Sequence, residues 1–307
     1  YKDAIKIVEE HMNLFEKSEG AIIYRGENAG LTNWVFITGE GNPTYSAKDL
    51  GLANRKFSEY PGLDQAIVTT SVEQAAYFKV VIHVLEIIRP DLKGKYKHLP
   101  FGWMLRQDKK KFSSRMGETV KGIDILNEVE NIALQKVSEM KEYSEEEKSA
   151  ISHSVALAGL KFLILSHEFQ KDFSYDPDKF LSFEGFSGPY ILYTYARAKS
   201  ILRKSEKDIS ALTTNYKFET ESEKNLLKLI NSYPEIAEKS GMNITPHSIS
   251  NYIYDLSQSF NSFYTQCPVL NAESTDVVNA RLLLTAATAQ VLKNGLGLLG
   301  IETVEKM

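Results

Sequence analysis

The sequence predicts an α/β half followed by an all-helical half. A short apolar run at 65–70, a helical pattern at 72–88 and a second apolar run at 98–105 form a β-α-β unit. This order predicts parallel strands joined by a right-handed crossover. After residue 120 no strand pattern recurs, and helical periodicity takes over. The predicted helices are 123–140, 145–167, 188–204, 221–232, 246–267 and 277–299.

Elements upstream of that unit are predicted from apolar spacing and turn residues. They are a helix at 3–17, strands at 21–24 and 34–37, and a helix at 45–56. In the second half, Ser144 and Glu147 match a capping box, and Thr245-Pro246 matches a helix start. We therefore divide the chain into an α/β part at 1–122 and a helical bundle at 123–307.

Composition excludes several classes of protein. The 307 residues carry a formal net charge of −4, so any nucleic-acid surface must be local. Cys267 is the single cysteine, which excludes an intrachain disulfide and a cysteine metal cluster and favours a reducing, cytoplasmic compartment. We predict no metal site built from side chains. No apolar run in the sequence is long enough to cross a bilayer, so we expect no membrane partner.

Positive charge concentrates in one region. Between residues 89 and 121, ten Lys or Arg stand against three acids. The excess lies in the basic loop Asp108–Gly117, read as Asp-Lys-Lys-Lys-Phe-Ser-Ser-Arg-Met-Gly. Lysine, arginine and serine donors suit phosphate oxygens, and Gly117 permits a sharp turn. The alternative is a solvated basic loop without a ligand.

The helix predicted at 45–56 carries a candidate binding pair. Tyr45 and Asp49 lie four residues apart, and side chains at this spacing share a helix face. A carboxylate beside a phenol suits a guanidinium, because the carboxylate can accept two hydrogen bonds from the planar fork. The alternative is that Asp49 pairs with Lys48 or Arg55 on an exposed first turn.

Gln74 opens the helix of the β-α-β unit, at the carboxyl end of a strand where parallel sheets bind ligands. Ser71 and Gln74 also match a capping box, so Gln74 can instead bond back to the backbone. His98 begins the second strand and precedes Pro100-Phe101-Gly102. A lone histidine is more often structural than functional.

The helix predicted at 188–204 presents an aromatic stripe. Tyr190, Tyr193 and Arg197 share one face by helical spacing. Two rings and a guanidinium suit unstacked bases and their phosphates, at about 1–3 kcal/mol for each stacked base. The alternative is that the tyrosines are half-buried packing residues with solvated hydroxyls.

Several of these stretches resemble one family, the arginyl-tRNA synthetases. The run 111–117 resembles the Lys-Met-Ser-Lys-Ser signature loop of class I synthetases, and 41–50 resembles a Gly-x-x-Thr-Tyr-x-x-Arg-Asp-Leu motif in which Lys48 here replaces the arginine. The strand 98–102 is similar to the family's His-x-x-Phe-Gly. Segments 188–197, 263–269, 280–282 and 297–307 are similar to parts of its anticodon-binding domain.

The resemblance implies part of a Rossmann-like class I catalytic domain followed by an all-helical anticodon-binding domain. It implies ligation of L-arginine to tRNA(Arg) through arginyl-adenylate, with ATP as substrate and Mg²⁺ as its companion ion. The residues implied to bind arginine are Tyr45, Asp49 and Gln74, and those implied to bind ATP are Lys110, Lys111, His98 and Gly102. The implied catalytic residues are Lys111, Ser113 and Arg115. The residues implied to bind the tRNA anticodon are Tyr190, Tyr193, Arg197, Tyr264 and Met307. Arg281 is expected to serve packing and ion pairing.

The other class I signature, His-Ile-Gly-His, is absent from the sequence, and in the family it lies N-terminal to the motifs found here. The first residue is Tyr1 rather than methionine. We therefore expect a C-terminal part of a longer enzyme, ending naturally at Met307, monomeric, and unable to form the adenylate alone. Other functions that fit are a stand-alone RNA-binding module without catalysis, and a helical scaffold for protein partners.

Overall fold

The computed structural model describes residues 1–109, 112, 120–138 and 143–307. Within these residues the chain forms two compact units. The first unit comprises Tyr1–Trp103 together with Phe169–Asp172, and the second comprises Met104–Glu168 together with Phe173–Met307.

The first unit combines helices with small sheets. Strands β1 (Glu16–Ser18), β2 (Ala21–Tyr24) and β3 (Trp34–Ile37) form an antiparallel sheet in that order, while β4 (Ala66–Ser71) and β5 (Tyr96–Phe101) pair in parallel. The helices are α1 (Lys2–Glu10), α2 (Tyr45–Glu59) and α3 (Ala75–Ile88). The predicted β-α-β unit is thus confirmed as β4-α3-β5, with Ser71 opposite Phe101 at the carboxyl ends of its strands.

Apolar spacing explains how α3 is held. Phe78, Val81, Val84 and Leu85 recur at helical intervals and are all buried. Of these, Val81, Val84 and Leu85 pack in one core with Phe36 of β3 and with the buried face of α2. Fully burying each such side chain contributes about 1.5–3 kcal/mol, so the core fixes α2 and α3 side by side at the ends of the strands.

Several boundaries in the first half differ from the prediction. The helix predicted at 3–17 ends at Glu10 and is followed by a short 3-10 turn. The helix predicted at 72–88 begins at Ala75, after a 3-10 turn at Val72–Gln74. The strand predicted at 98–105 stops at Phe101, because the amides of Gly102 and Trp103 turn to donate to Phe169 and Asp172 instead.

The second unit is a helical bundle with one short strand pair among its described residues. Its elements are β6 (Met104–Leu105), α4 (Gly122–Ser138), α5 (Glu145–Leu165), β7 (Phe173–Ser174), α6 (Pro177–Phe180), α7 (Gly188–Ser205), α8 (Glu221–Asn243), α9 (Pro246–Gln266) and α10 (Thr275–Leu298). The predicted capping box of Ser144 and Glu147 is confirmed at the start of α5. Tyr195, Phe260 and Leu282 lie in the main core of the bundle.

Some predictions for this half were wrong in detail. A strand does occur after residue 120, since β7 pairs in parallel with β6. The helix predicted at 221–232 runs through Pro234 to Asn243. Pro234 has no amide N–H to donate to the carbonyl of Ile230, four residues earlier. The preceding carbonyl, that of Leu229, accepts from the side chains of Ser232 and Tyr252. Thr245 stands before α9 but its side chain makes no capping hydrogen bond.

By length and composition alone, α5 is the one helix among the described residues that could cross a membrane. It begins with three glutamates in its first turn. Its apolar residues Val155, Ala158 and Phe162 are buried in the cores of the bundle. In this structure α5 is packed as a core helix.

Candidate functional site

A cavity of about 750 Å³ opens in the first unit, and we call it the acidic cavity. It is lined by Asn33, Trp34, Val35, Thr44, Tyr45, Ser46, Asp49, Glu73, Gln74 and Tyr77. These lining residues, all within the described part of the chain, include two carboxylates and no lysine, arginine or histidine. Because a lining with carboxylates and no basic side chain favours positive charge, the acidic cavity suits a cationic ligand.

Local hydrogen bonds place the wall of this cavity. The hydroxyl of Thr44 donates to the carbonyl of Val35 at 2.7 Å, and the amide of Thr44 donates to that of Phe36 at 2.9 Å. Thr44 makes no side-chain cap on α2. It instead ties the start of α2 to β3, so that Tyr45 stands beside Trp34 at the cavity.

The structure brings Tyr45, Asp49 and Gln74 together in the acidic cavity, as the sequence predicted for one binding site. Tyr45 is 78% exposed, and Asp49 is half-buried. A ligand can therefore meet the phenol of Tyr45 from solvent and the carboxylate of Asp49 further in.

Asp49 is bonded to a residue that the sequence did not single out. The hydroxyl of Tyr77 donates to Oδ2 of Asp49 at 2.5 Å. Burial, and then the hydrogen bond to the Asp49 carboxylate, raise the pKa of Tyr77 well above its usual value. The phenol is therefore protonated at neutral pH and acts as the donor of this pair.

The alternative partners of Asp49 are engaged elsewhere. Arg55 lies 2.6 Å from Glu59 and 3.7 Å from Asp3. The ammonium of Lys48 lies over the rings of Tyr1 and Tyr45, at 5.3 and 5.2 Å from their centroids. The interpretation of Asp49 as the partner of either cation is therefore wrong.

The capping alternative for Gln74 is also wrong. The side chain of Ser71 makes no capping hydrogen bond. Helix α3 begins only at Ala75, so Gln74 precedes the helix instead of lying in its first turn. Gln74 is exposed at the cavity wall, three residues beyond the end of β4. Its amide is positioned to contact a ligand.

His98 and Gly102, predicted to bind ATP, do not line the acidic cavity. His98 Nε2 lies 2.7 Å from Thr70 Oγ1, and its ring stacks on Phe78 with centroids 4.4 Å apart. Burial lowers the pKa of His98. Gly102 is buried, its amide donates to the Phe169 carbonyl, and a Cβ atom there would overlap the backbone of Lys171. Close packing therefore requires glycine at 102.

The predicted phosphate-binding residues of the basic loop fall outside the described residues. They are Lys110, Lys111, Ser113 and Arg115. Within the loop, Phe112 is described, and its ring meets the ring of Tyr175 edge to face at 5.6 Å.

A second cavity, of about 790 Å³, lies in the second unit, and we call it the aromatic cavity. It is lined by Tyr143, Tyr193, Ala196, Arg197, Ser200, Ile201, Arg203, Lys204, Tyr264, Pro268, Val269, Leu270, Asn271, Lys306 and Met307. No Asp or Glu occurs among these described lining residues. The guanidinium of Arg197 lies 4.8 Å from the ring centroid of Tyr193 and 5.5 Å from that of Tyr264. Rings and cations in one hollow suit a nucleotide.

Four of the predicted anticodon residues meet at this cavity, whereas Tyr190 does not line it. Tyr190 is half-buried against the core and its ring faces Tyr254 at 5.7 Å. For Tyr190 the packing alternative describes what the structure shows.

Asn261 is the residue here that the sequence did not reveal. Its Oδ1 accepts from Arg197 Nη1 at 2.7 Å, and its Nδ2 donates to the hydroxyls of Tyr190 at 2.9 Å and Thr194 at 3.1 Å. Asn261 thus holds the guanidinium that lies against the rings of Tyr193 and Tyr264. It sits on α9, 64 residues from Arg197, and an asparagine inside a helical pattern gave no signal of this contact.

No cluster of three or more His, Cys, Asp or Glu side chains that could hold a metal ion occurs in the ranges that the structure describes.

Two family models match most of this chain. A family model described as the catalytic domain of class I tRNA synthetases (R) matches residues 1–177. A second, described as the DALR anticodon binding domain, matches residues 191–307.

Individual relatives give the same pattern. An arginine–tRNA ligase of Flavobacterium psychrophilum is 33% identical over 299 residues, covering 96% of this chain and 49% of that protein. Arginine–tRNA ligase 1 of Bacillus cereus is 34% identical over 308 residues, covering 100% of this chain and 53% of its own length. The solved Thermus thermophilus arginyl-tRNA synthetase superposes with a TM-score of 0.85 at 25% identity, covering 100% of this chain and 58% of that one. The chain spans about half the length of the curated relatives it matches.

Proposed function

Since this chain belongs to the arginyl-tRNA synthetase family, we propose that it forms part of an enzyme that ligates L-arginine to tRNA(Arg). ATP is the second substrate, and arginyl-adenylate is the intermediate. We assign residues 1–122 to the catalytic part and 123–307 to the anticodon-binding part. We further propose that it works in the cytoplasm as a monomer. Sedimentation as a larger species would contradict the monomer.

The observation that carries this proposal is the acidic cavity with Tyr45, Asp49 and Gln74 on its wall. Asp49 accepts the guanidinium of L-arginine, because a carboxylate and a guanidinium form paired charge-assisted hydrogen bonds. Such bonds contribute about 1.5–3 kcal/mol each. Tyr45 closes on the guanidinium from the exposed side, and Gln74 offers an amide oxygen and donors.

Calorimetric titration with L-arginine and L-citrulline tests this site. Citrulline has the same length without the positive charge, so we expect the wild-type chain to bind arginine and not citrulline. Asp49→Asn should weaken arginine binding by about 10-fold or more. Glu59→Gln, on the same helix and paired with Arg55, is the matched control and should bind as wild type. Equal binding by Asp49→Asn and wild type would rule out the site.

We assign ATP to the region after β5. The α-phosphate is displaced with pyrophosphate leaving, so positioning and charge stabilisation dominate the catalysis. Lys111, with Lys110 and Arg115, stabilises the developing phosphate charge, and Ser113 fixes the loop over the nucleotide. His98 and Gly102 are proposed as further ATP-binding residues. Mg²⁺ bound with ATP would shield the charge of its phosphates. The basic charge between residues 89 and 121 supports the assignment.

We assign the aromatic cavity to the anticodon loop of tRNA(Arg). Tyr193 and Tyr264 stack on unpaired bases, while Arg197 and the lysines of the rim meet phosphates. Met307 supplies an apolar wall, and Tyr190 supports Arg197 through Asn261. The four cations and absent acids among the described lining residues support this assignment.

The sequence contains no His-Ile-Gly-His, and we propose that the 307-residue polypeptide does not form the adenylate by itself. Arginine-dependent exchange of pyrophosphate into ATP measures this step. Exchange above background in a sample free of host synthetase would refute the proposal. Exchange restored when a segment containing that signature is supplied would support it.

The second candidate is a stand-alone RNA-binding module, which the aromatic cavity favours. Such a module binds RNA without any use for arginine. Binding of tRNA together with an acidic cavity that shows no affinity for arginine would favour the module over the synthetase.

A further inference from the structure

Tyr77 occupies a position in the acidic cavity that the proposed function leaves without a role. It lies on α3, whereas its hydrogen-bond acceptor Asp49 lies on α2, 28 residues away in sequence. The bond therefore joins two helices across the wall of the cavity. It also uses Oδ2 of Asp49, while Oδ1 accepts no hydrogen bond from the described residues.

The phenol is itself held in place. The ring of Tyr77 meets the ring of Trp34 edge to face at 5.4 Å and that of Phe78 at 4.8 Å. These contacts come from β3 and from the next residue of α3, so the hydroxyl cannot swing away without disturbing the packing. A fixed donor fixes the plane of the carboxylate that accepts from it.

The plane of that carboxylate matters more for one kind of cation than for another. A guanidinium is planar and bonds through a rigid fork, so it requires a matching carboxylate orientation. An ammonium is a compact point charge with rotatable donors and accepts many orientations. A carboxylate free to rotate would therefore lose affinity for a guanidinium and keep its affinity for an ammonium.

We propose that Tyr77 is a specificity-determining residue that orients Asp49 and thereby separates arginine from lysine. This inference rests on the proposed arginine site. A purely structural role for the same hydrogen bond, joining α2 to α3, would alter the binding of both amino acids alike.

The test is calorimetric titration of wild-type chain, Tyr77→Phe and a control with L-arginine and L-lysine. Tyr24→Phe is the control, because Tyr24 is a buried phenol in the first unit that lies outside the cavity. We expect Tyr77→Phe to weaken arginine binding by about 10-fold, as for loss of one hydrogen bond to a charged group. Lysine binding should change by less than about twofold, so the preference for arginine falls.

Each other outcome has a definite meaning. If the preference is unchanged, or if arginine and lysine lose affinity equally, the role of Tyr77 in specificity is refuted while the arginine site stands. If the wild-type chain binds no arginine, the proposed site fails and the inference with it. If Tyr77→Phe does not fold by circular dichroism, Trp34→Leu takes its place, since it loosens the ring of Tyr77 and leaves Asp49 intact. An unchanged preference in Trp34→Leu would then overturn the inference.

Discussion

Tyr195 on α7 donates a hydrogen bond of 3.0 Å to the carboxylate of Glu305, 110 residues further along the chain. Lys199 and Arg203, one and two turns along the same face of α7, lie 3.5 and 3.6 Å from the other oxygen of this carboxylate. Arg203 also donates to the Glu305 carbonyl at 2.9 Å. Glu305 therefore fastens the segment whose next residues, Lys306 and Met307, line the aromatic cavity.

Glu305→Ala should weaken RNA binding more than it weakens the fold. The ion pairs are partly exposed, with side-chain exposures of 33–58%, and such pairs contribute about 0–1 kcal/mol each. We expect a fall in melting temperature of about 2–4 °C at most, and a several-fold loss of affinity for tRNA(Arg) in fluorescence anisotropy. Glu302→Ala, in the same segment, is the control. Unchanged RNA affinity in Glu305→Ala would show that the segment is not part of the RNA site.

Arg281→Ala should strongly destabilise the second unit. Arg281 Nε donates to Glu223 at 2.8 Å, with side-chain exposures of only 6% and 0%, and Nη1 donates to the Pro268 carbonyl at 2.9 Å. Removing the cation leaves a buried carboxylate unpaired, at about 3–5 kcal/mol in the free energy of unfolding. Urea denaturation at pH 7 measures the loss.

The matched control is the double variant Glu223→Gln with Arg281→Met. It removes the orphaned charge, so we expect it to recover part of the stability lost in Arg281→Ala. If Arg281→Ala is as stable as wild type, the buried ion pair between Arg281 and Glu223 is contradicted.

His98 should give the first unit a dependence on pH. Burial lowers the pKa of His98 below its ordinary value of 6.5, so the unfolded chain takes up the proton first as pH falls. The contribution of His98 to stability is therefore complete above pH 6.5 and is lost as pH falls through the folded pKa. We expect a histidine NMR titration midpoint below 6.5 for His98.

His98→Gln should accordingly flatten the fall in stability between neutral and mildly acid pH. Urea unfolding of His98→Gln and of wild type, each at neutral and at mildly acid pH, measures this change in the free energy of unfolding. An identical pH dependence in the two proteins would contradict a half-buried imidazole whose pKa is lowered.

Local patterns in the sequence predicted much of the fold. The apolar runs of β2 and β3 and the start of α7 at Gly188 lie where the sequence predicted them, because turn residues and a proline mark their ends. The family and the order of a class I catalytic part before an anticodon-binding bundle were predicted from the motifs and are confirmed. Two-residue strands such as β7 could not be predicted, since they are too short to show a period.

The candidate sites were predictable only where their residues share one helix. The sequence indicates Tyr45 and Asp49 as a pair because residues four apart on a helix share one face. Tyr77 and Asn261 are brought to Asp49 and Arg197 by tertiary packing, across 28 and 64 residues of sequence. Such contacts leave no mark in local spacing.

Binding of tRNA(Arg) and of an anticodon-substituted tRNA(Arg) to this chain is the most direct test of the proposed function. We expect wild type to prefer the natural anticodon. Tyr193→Ala should lose about 1–3 kcal/mol of binding free energy for the natural tRNA and most of the preference. Tyr60→Ala, an exposed tyrosine outside both cavities, should behave as wild type. Equal affinity of the wild-type chain for the two tRNAs, unaltered by Tyr193→Ala, would contradict the assignment of the aromatic cavity.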